Sequence, residues 1–270
     1  MRIPSIAAPA AAARRDDRVP AAVATGRVVF WPGGSLWIGR GGGRTDRHSH
    51  HALQIALPLD GRCRFRASED EAWREYDAAV VRPDRPHQLE TDPVTMAHLF
   101  VEPETVEGRA LLRRFDADIS PLPEPARRAV CERLRAPSTP ADDPPAAIAT
   151  ARAALASLCG LVPHDDPPDA RILRGIERIR SGIDGPVSLA DAAAAAALSP
   201  SRFRHLFVEQ VGTSFRAYVL WTRLKVAVGA AMRGASWTAA AHEAGFADSA
   251  HLHRTFRRML GVSPSGLIPE

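Results

Sequence analysis

The chain has 270 residues, 45% of them hydrophobic and 24% charged, which is enough for two separate cores and too apolar for wholesale disorder. No apolar stretch has the length of a bilayer span, so composition excludes a membrane channel, and it equally excludes a fibrous protein. The net charge of +4 is uneven: residues 171–270 hold 13 Arg/Lys against 7 Asp/Glu, while residues 1–170 hold 22 against 24, so a polyanion would meet one end of the molecule. The three cysteines, Cys63, Cys131 and Cys159, contain no CxxC pair, which argues against a disulfide framework or zinc ribbon and for a reducing, cytoplasmic home.

In chain order, residues 1–25 are rich in Ala, Pro and Arg and read as a disordered tail without the apolar core of a signal peptide. Residues 26–104 carry short apolar runs (VVFW, SLWIG, LQIALPL, RCRFR) broken by Gly, Pro and Asp, the texture of strands and turns. Helical spacing follows over 105–161, where Leu111, Leu112 and Phe115, then Ala154, Leu155 and Leu158, form apolar stripes suited to dimerisation or to packing on the strands. A Pro/Asp-rich linker, 162–170, leads into a region of 100 residues, 171–270, that reads as helix to its end.

That last region contains a repeat. Phe203, Phe207, Gly212 and Ser214 recur 49 positions later as Leu252, Phe256, Gly261 and Ser263, so two copies of one unit are present. Each copy opens with a small-residue helix (LADAAAAAAL, WTAAAHEAGF), turns, and continues into a second helix whose start is marked by an N-cap, Ser199 before Pro200 or Asp248. This is helix-turn-helix layout. At 100° per residue Phe203, Leu206 and Phe207 share one face, and Ser201, Arg204, His205 and Val208 the other; the same offsets in the second copy place Ala250, His253, Arg254 and Arg257 outside. Arginine there can donate to guanine O6 and N7 in a major groove. The run FRAYVLWTRLKVAVGAAMRG between the units predicts a helix of about 28 Å, which suits two readers one DNA turn, about 34 Å, apart.

LSPSRFRHLFVEQVGTSFRAYV and EAGFADSAHLHRTFRRMLGVSPS resemble the AraC/XylS transcriptional regulators over residues 171–270. The resemblance implies DNA-contacting roles for Ser201, Arg202, Arg204 and His205 in the first unit and Ser249, Ala250, His253, Arg254 and Arg257 in the second, with Arg202 and Arg257 on phosphates. It also implies an α+β two-domain fold: an N-terminal cupin-like β-barrel with following helices that dimerise, and a C-terminal all-α double helix-turn-helix domain. Two departures stand out. Ala197 replaces a customary turn glycine, placing a Cβ where the left-handed conformation is often used, and Ala250 offers a base only an apolar contact.

The family's N-terminal domain commonly resembles a cupin, and His48-Ser49-His50-His51-Ala52-Leu53-Gln54 followed by Gly61 is similar to its first motif, with Gln54 where a carboxylate is usual. Arg82 to His87 resembles the second motif, Asp84 standing for glycine. Histidines two apart on a strand share a face, so His48 and His50 can converge with His87 on a metal ion; with Gln54 in place of a carboxylate, the set favours Zn, Ni or Cu. The other reading is a histidine cluster lining an organic effector pocket or tying strand ends together. The implied partners are double-stranded promoter DNA, a second copy of the chain, RNA polymerase and a small-molecule effector, with no membrane and no catalytic residues. A metal-binding cupin enzyme and an effector-independent DNA-binding scaffold are the alternatives.

Overall fold

The computed structural model describes residues 19–135, 143–159 and 168–269. The strand texture yields β1 (Val23–Trp31), β2 (Gly34–Arg44), β3 (Leu53–Pro58), β4 (Cys63–Arg66), β5 (Arg74–Tyr76), β6 (Ala79–Val81) and β7 (Gln88–Val101). After α1 (Val106–Arg114) comes β8 (Ile119–Pro121), and β9 (Leu267–Pro269) arrives from the far end of the chain. The order is β8-β6-β3-β7-β2-β1-β9. Strand β7 spans 14 residues and changes partner along one edge, pairing residues 96–101 with β3 and 88–90 with β4, while β2 follows its other edge.

This path is open, which corrects the expectation of a closed cupin-like barrel. The free edge of β1, which closure would need, pairs instead in parallel with β9, Ala24 opposite Leu267. For the same reason the C-terminal region is not wholly helical. Of the tail expected over 1–25, residues 1–18 lie outside the described residues, whereas Val23–Thr25 already belong to β1 and pair with Arg40–Gly42.

The helices α1, α2 (Glu124–Arg135) and α3 (Pro144–Cys159) cover one part of the sheet. Leu111, Phe115, Ala154, Leu155 and Leu158 are buried with Leu53, Ile55, Val80 and Leu99, and Leu112 packs against them. The stripes therefore pack on the chain's own sheet, the second of the two roles expected of them. The linker residues 162–167 lie outside the described residues; Asp169 caps the next helix through Arg171 N.

The helical region comprises α4 (Ala170–Ser181), α5 (Leu189–Ala195), α6 (Pro200–Val211), α7 (Phe215–Met232), α8 (Trp237–Glu243) and α9 (Ser249–Leu260). Each of α5 to α9 begins at a residue that caps an orphan backbone N–H: Ser188, Ser199, Ser214, Ser236 and Asp248, each cap stabilising its helix by about 1 kcal/mol. Both second helices end at a left-handed glycine, Gly212 at φ 83° and Gly261 at φ 70°. The 49-residue offset holds for α6 and α9 only. The bonds Leu198 N to Ala193 O and Phe246 N to Ala241 O match at an offset of 48, so the second turn holds one extra residue, Ala247.

Two cores serve these helices. Ile172, Ile176 and Ile179 of α4 pack on Phe203, Phe207 and Tyr218. Trp221, Leu224, Phe256 and Leu260 pack instead with Ala52 and Phe100 of the N-terminal part, joined by Phe30 and Trp37. The apolar core is thus continuous across the join between sheet and helices.

Candidate nucleic-acid interface

In α6 the periodicity resolves as the spacing predicts. Phe203, Leu206 and Phe207 are buried, while Ser201, Arg202, Arg204 and His205 are exposed. In α9, Leu252, Phe256 and Met259 face inward; Ala250, His253, Arg254 and Arg257 are exposed and Ser249 is half-buried. Each second helix thus shows solvent a polar face over its first turns, where major-groove readers place their base contacts. The 18 residues of α7 separate the units, a rod of about 27 Å.

The turns between first and second helices both pass through the left-handed region. Ala197 sits at φ 54° and Gly245 at φ 72°, so the alanine carries a Cβ into a region that favours glycine. At Gly245 a Cβ would lie 2.6 Å from Ile183 O, so glycine is required there for space as well.

A protein-family model described as "Helix-turn-helix domain" matches residues 192–268. The transcriptional activator RhrA of Rhizobium meliloti (strain 1021) is 32% identical over 117 residues, 42% of this chain and 37% of RhrA. This chain carries an AraC-type helix-turn-helix domain. The match spans little more than a third of RhrA's length. Structural likeness reaches beyond the AraC-type domain. ToxT from Vibrio cholerae superposes with a TM-score of 0.55 at 12% identity, covering 86% of this chain and 97% of ToxT. ToxT solved with an unsaturated fatty acid bound gives 0.53 at 12% identity, covering 90% and 91%. At that identity the likeness establishes a shared fold. No helix among the described residues is long and apolar enough to cross a membrane.

One of the candidate contacts of the AraC-type domain is already engaged within the chain. Arg257 pairs with the Asp46 carboxylate, an acidic neighbour that holds the guanidinium above its ordinary pKa. Arg254 lines a cleft of about 690 Å³ with His50, Asp84, Arg216 and Arg258. The strap from Asp46 to Ser49 is also tied by main chain to the end of α9: Asp46 N donates to Gly261 O at 2.7 Å and Ser49 N to Arg258 O at 3.4 Å.

That strap carries His48 and runs directly into His50. His48 and His50 lie between β2 and β3, His87 lies between β6 and β7, and the backbones of His48 and His87 bond reciprocally at 3.0 and 2.9 Å. All three rings are buried, with one nitrogen of each within 4.8 Å of one from each of the others. Burial, then the proximity of His50, lowers the pKa of His48 to about 3. Burial also lowers His50, and burial with both neighbours lowers His87 well below the ordinary value, so the trio is uncharged near neutral pH. Gln54 stands beside the trio, its amide spanning His50 Nε2 at 3.0 Å and His98 Nδ1 at 2.9 Å. Asp84 adopts φ 56° at the position where the cupin motif has glycine, a conformation aspartate tolerates better than most residues.

The sequence reading missed His98, a buried member of the cluster whose pKa burial, then His50, lowers to about 4. Its signal lies in register, since Gln54 opposes Phe100 and Ala56 opposes His98 on β7, making Gln54 and His98 diagonal neighbours on one face. Missed too was an ion network across the join. Glu102 binds Lys225 and Arg180, the latter at 2.6 Å, while Arg180 also donates to Tyr218 Oη at 3.0 Å. His51 Nε2 stands 3.0 Å from Glu104 Oε2. Burial alone would raise the Glu102 pKa, but Lys225 and Arg180 outweigh it and hold the carboxyl near 2.

Between the sheet and α9 lies a cavity of about 160 Å³. Trp37, Ile38, Met96 and Phe100 line it from the sheet, Phe256 and Leu260 from α9, and His48, Gln54 and His98 supply polar lining.

Proposed function

We propose that this chain is a sequence-specific, DNA-binding transcription regulator of the activator type, in which α6 and α9 enter successive major grooves and a ligand in the N-terminal part sets their disposition. The observation that carries the reading is the double duty of α9. Its outer face exposes His253, Arg254 and Arg257, while its inner face, through Phe256 and Leu260, walls the cavity against the sheet. A ligand that fills or reshapes the cavity therefore acts on a DNA-reading helix without an intermediary.

The description of RhrA as a transcriptional activator supports the sign of regulation, and the fatty acid held by ToxT supports ligand control in this architecture. The cavity here has the volume of sites that admit a benzene-sized guest, about 150 Å³, so an organic effector would be smaller than a fatty acid. Promoter DNA is the macromolecular partner; RNA polymerase contact and pairing with a second copy belong to the same reading.

Electrophoretic or fluorescence titration of DNA variants tests it. Arg204→Ala or Arg254→Ala should weaken the preferred site by about 1–3 kcal/mol and relax base preference, whereas Arg202→Ala should weaken all sequences alike and flatten the salt dependence. Equal loss on preferred and random DNA for Arg254→Ala contradicts its base-reading role.

A further inference from the structure

Main-chain carbonyls face Nδ1 of all three buried histidines. Nδ1 of His48 lies 2.9 Å from Asp46 O, Nδ1 of His50 lies 2.8 Å from Ala52 O, and Nδ1 of His87 lies 2.8 Å from Arg85 O. A carbonyl only accepts, so Nδ1 of His48 and of His87 carries the proton and Nε2 of each keeps a lone pair; His50 takes the same tautomer once the Gln54 amide, whose Oε1 lies 3.0 Å from His50 Nε2, turns to present its NH2 there. No ring can then donate to another. The consequence is visible at His87, whose Nε2 is fully buried without a partner while its ring sits 4.2 Å from that of His48 and 5.2 Å from that of His50, centre to centre. Main-chain carbonyls fixing Nδ1–H so that Nε2 lone pairs converge is the outer-shell arrangement of histidine metal ligands.

We propose that His48, His50 and His87 bind one divalent transition ion of the zinc, nickel or copper class, and that the ion is a signal passed to α9. This deepens the regulator reading and rests on it. One nitrogen of each ring lies within 4.8 Å of one from each of the others, close enough for the three to share an ion with nitrogen ligands at about 2.0–2.1 Å. His48 sits on the strap whose Asp46 and Ser49 hold Gly261, Arg257 and Arg258, and His50 follows it directly. His48 also packs directly on the end of α9, where a Cβ on Gly261 would meet its Nδ1 at 2.5 Å. An ion that fixes the position of His48 therefore also fixes the strap and, through it, the carboxyl end of α9. Gln54 meets His50 at Nε2, a contact that the ion replaces, and further coordination positions fall to water or to a small ligand.

The test uses the full chain without a histidine tag, stripped with chelator and titrated by calorimetry with Zn²⁺ and, separately, Ni²⁺. His87→Ala and the bulkier His87→Gln are titrated alongside, with circular dichroism to confirm folding, and DNA affinity is measured with and without Zn²⁺. The proposal expects one ion per chain, lost in the folded variants, and a DNA affinity shifted roughly 5- to 100-fold by the ion in the wild type only. X-ray absorption of the zinc-loaded wild type, which needs no variant, should show an imidazole shell near 2.0 Å. Wild type binding no more zinc than the variants overturns the site and leaves a buried water as the partner of His87. Stoichiometric zinc with superimposable DNA titrations overturns the signalling half alone. Zinc binding without any DNA binding sinks the regulator reading and the signal together while the metal site stands.

Discussion

Ala197 is the residue at which local preference and the fold disagree. Its φ of 54° is imposed by the turn between α5 and α6, where Leu198 N must reach back to Ala193 O, and an L-residue with a Cβ pays about 1–2 kcal/mol there. Ala197→Gly should therefore stabilise the protein by about 1 kcal/mol after the added flexibility of the unfolded chain is subtracted, read as a higher melting temperature with unchanged DNA affinity. An unchanged or lower melting temperature would show that the turn carries no such strain. Gly245→Ala should do the reverse and more severely, because Ile183 O occupies the space for its Cβ.

At the scale of elements, α9 has two neighbours within the chain, the cavity on its inner face and the Asp46–Ser49 strap at its end, while its outer face is the one proposed to meet DNA. The Asp46–Arg257 pair withholds one cation from any phosphate. Asp46→Asn should release it, raising affinity for specific and random DNA alike and steepening the plot of log affinity against log salt by about 0.9; an unchanged slope would show that Arg257 does not reach a phosphate. These contacts divide what could be read from the sequence from what could not. Helices α6 and α9 were legible because caps, apolar spacing and closing glycines all lie within a dozen residues of one another. His48, His50 and His87 were legible because a short motif marks them, although the strand expected under His48 and His50 is instead the connection between β2 and β3. Nothing local marks β9, whose partner Ala24 lies at the other end of the chain, or Glu102, whose partners are 78 and 123 residues away. The closed barrel failed for the same reason, since closure depends on which strand reaches the edge of β1.

The whole molecule behaves as one body only while the sheet and the AraC-type domain stay docked, through the shared Trp221 and Phe100 core and the Glu102 network. Glu102 has a folded pKa near 2 against 4.5 when unperturbed, so the unfolded state binds more protons between those values. Its contribution is complete above pH 4.5 and is lost as pH falls towards 2. Glu102→Gln should cost about 3 kcal/mol at neutral pH by leaving Lys225 and Arg180 without their carboxylate, and should lose less stability than wild type across that acid window. Parallel acid profiles for the two proteins would remove Glu102 from the docking. The central claim, that this molecule reads DNA with two helices held one turn apart, is tested most directly by selecting preferred sequences from a random duplex pool with the full chain and footprinting the winner. The account predicts an enriched sequence with two protected major-groove segments about 10–10.5 base pairs apart on one face. A pool without enrichment, or a single protected segment, would contradict it.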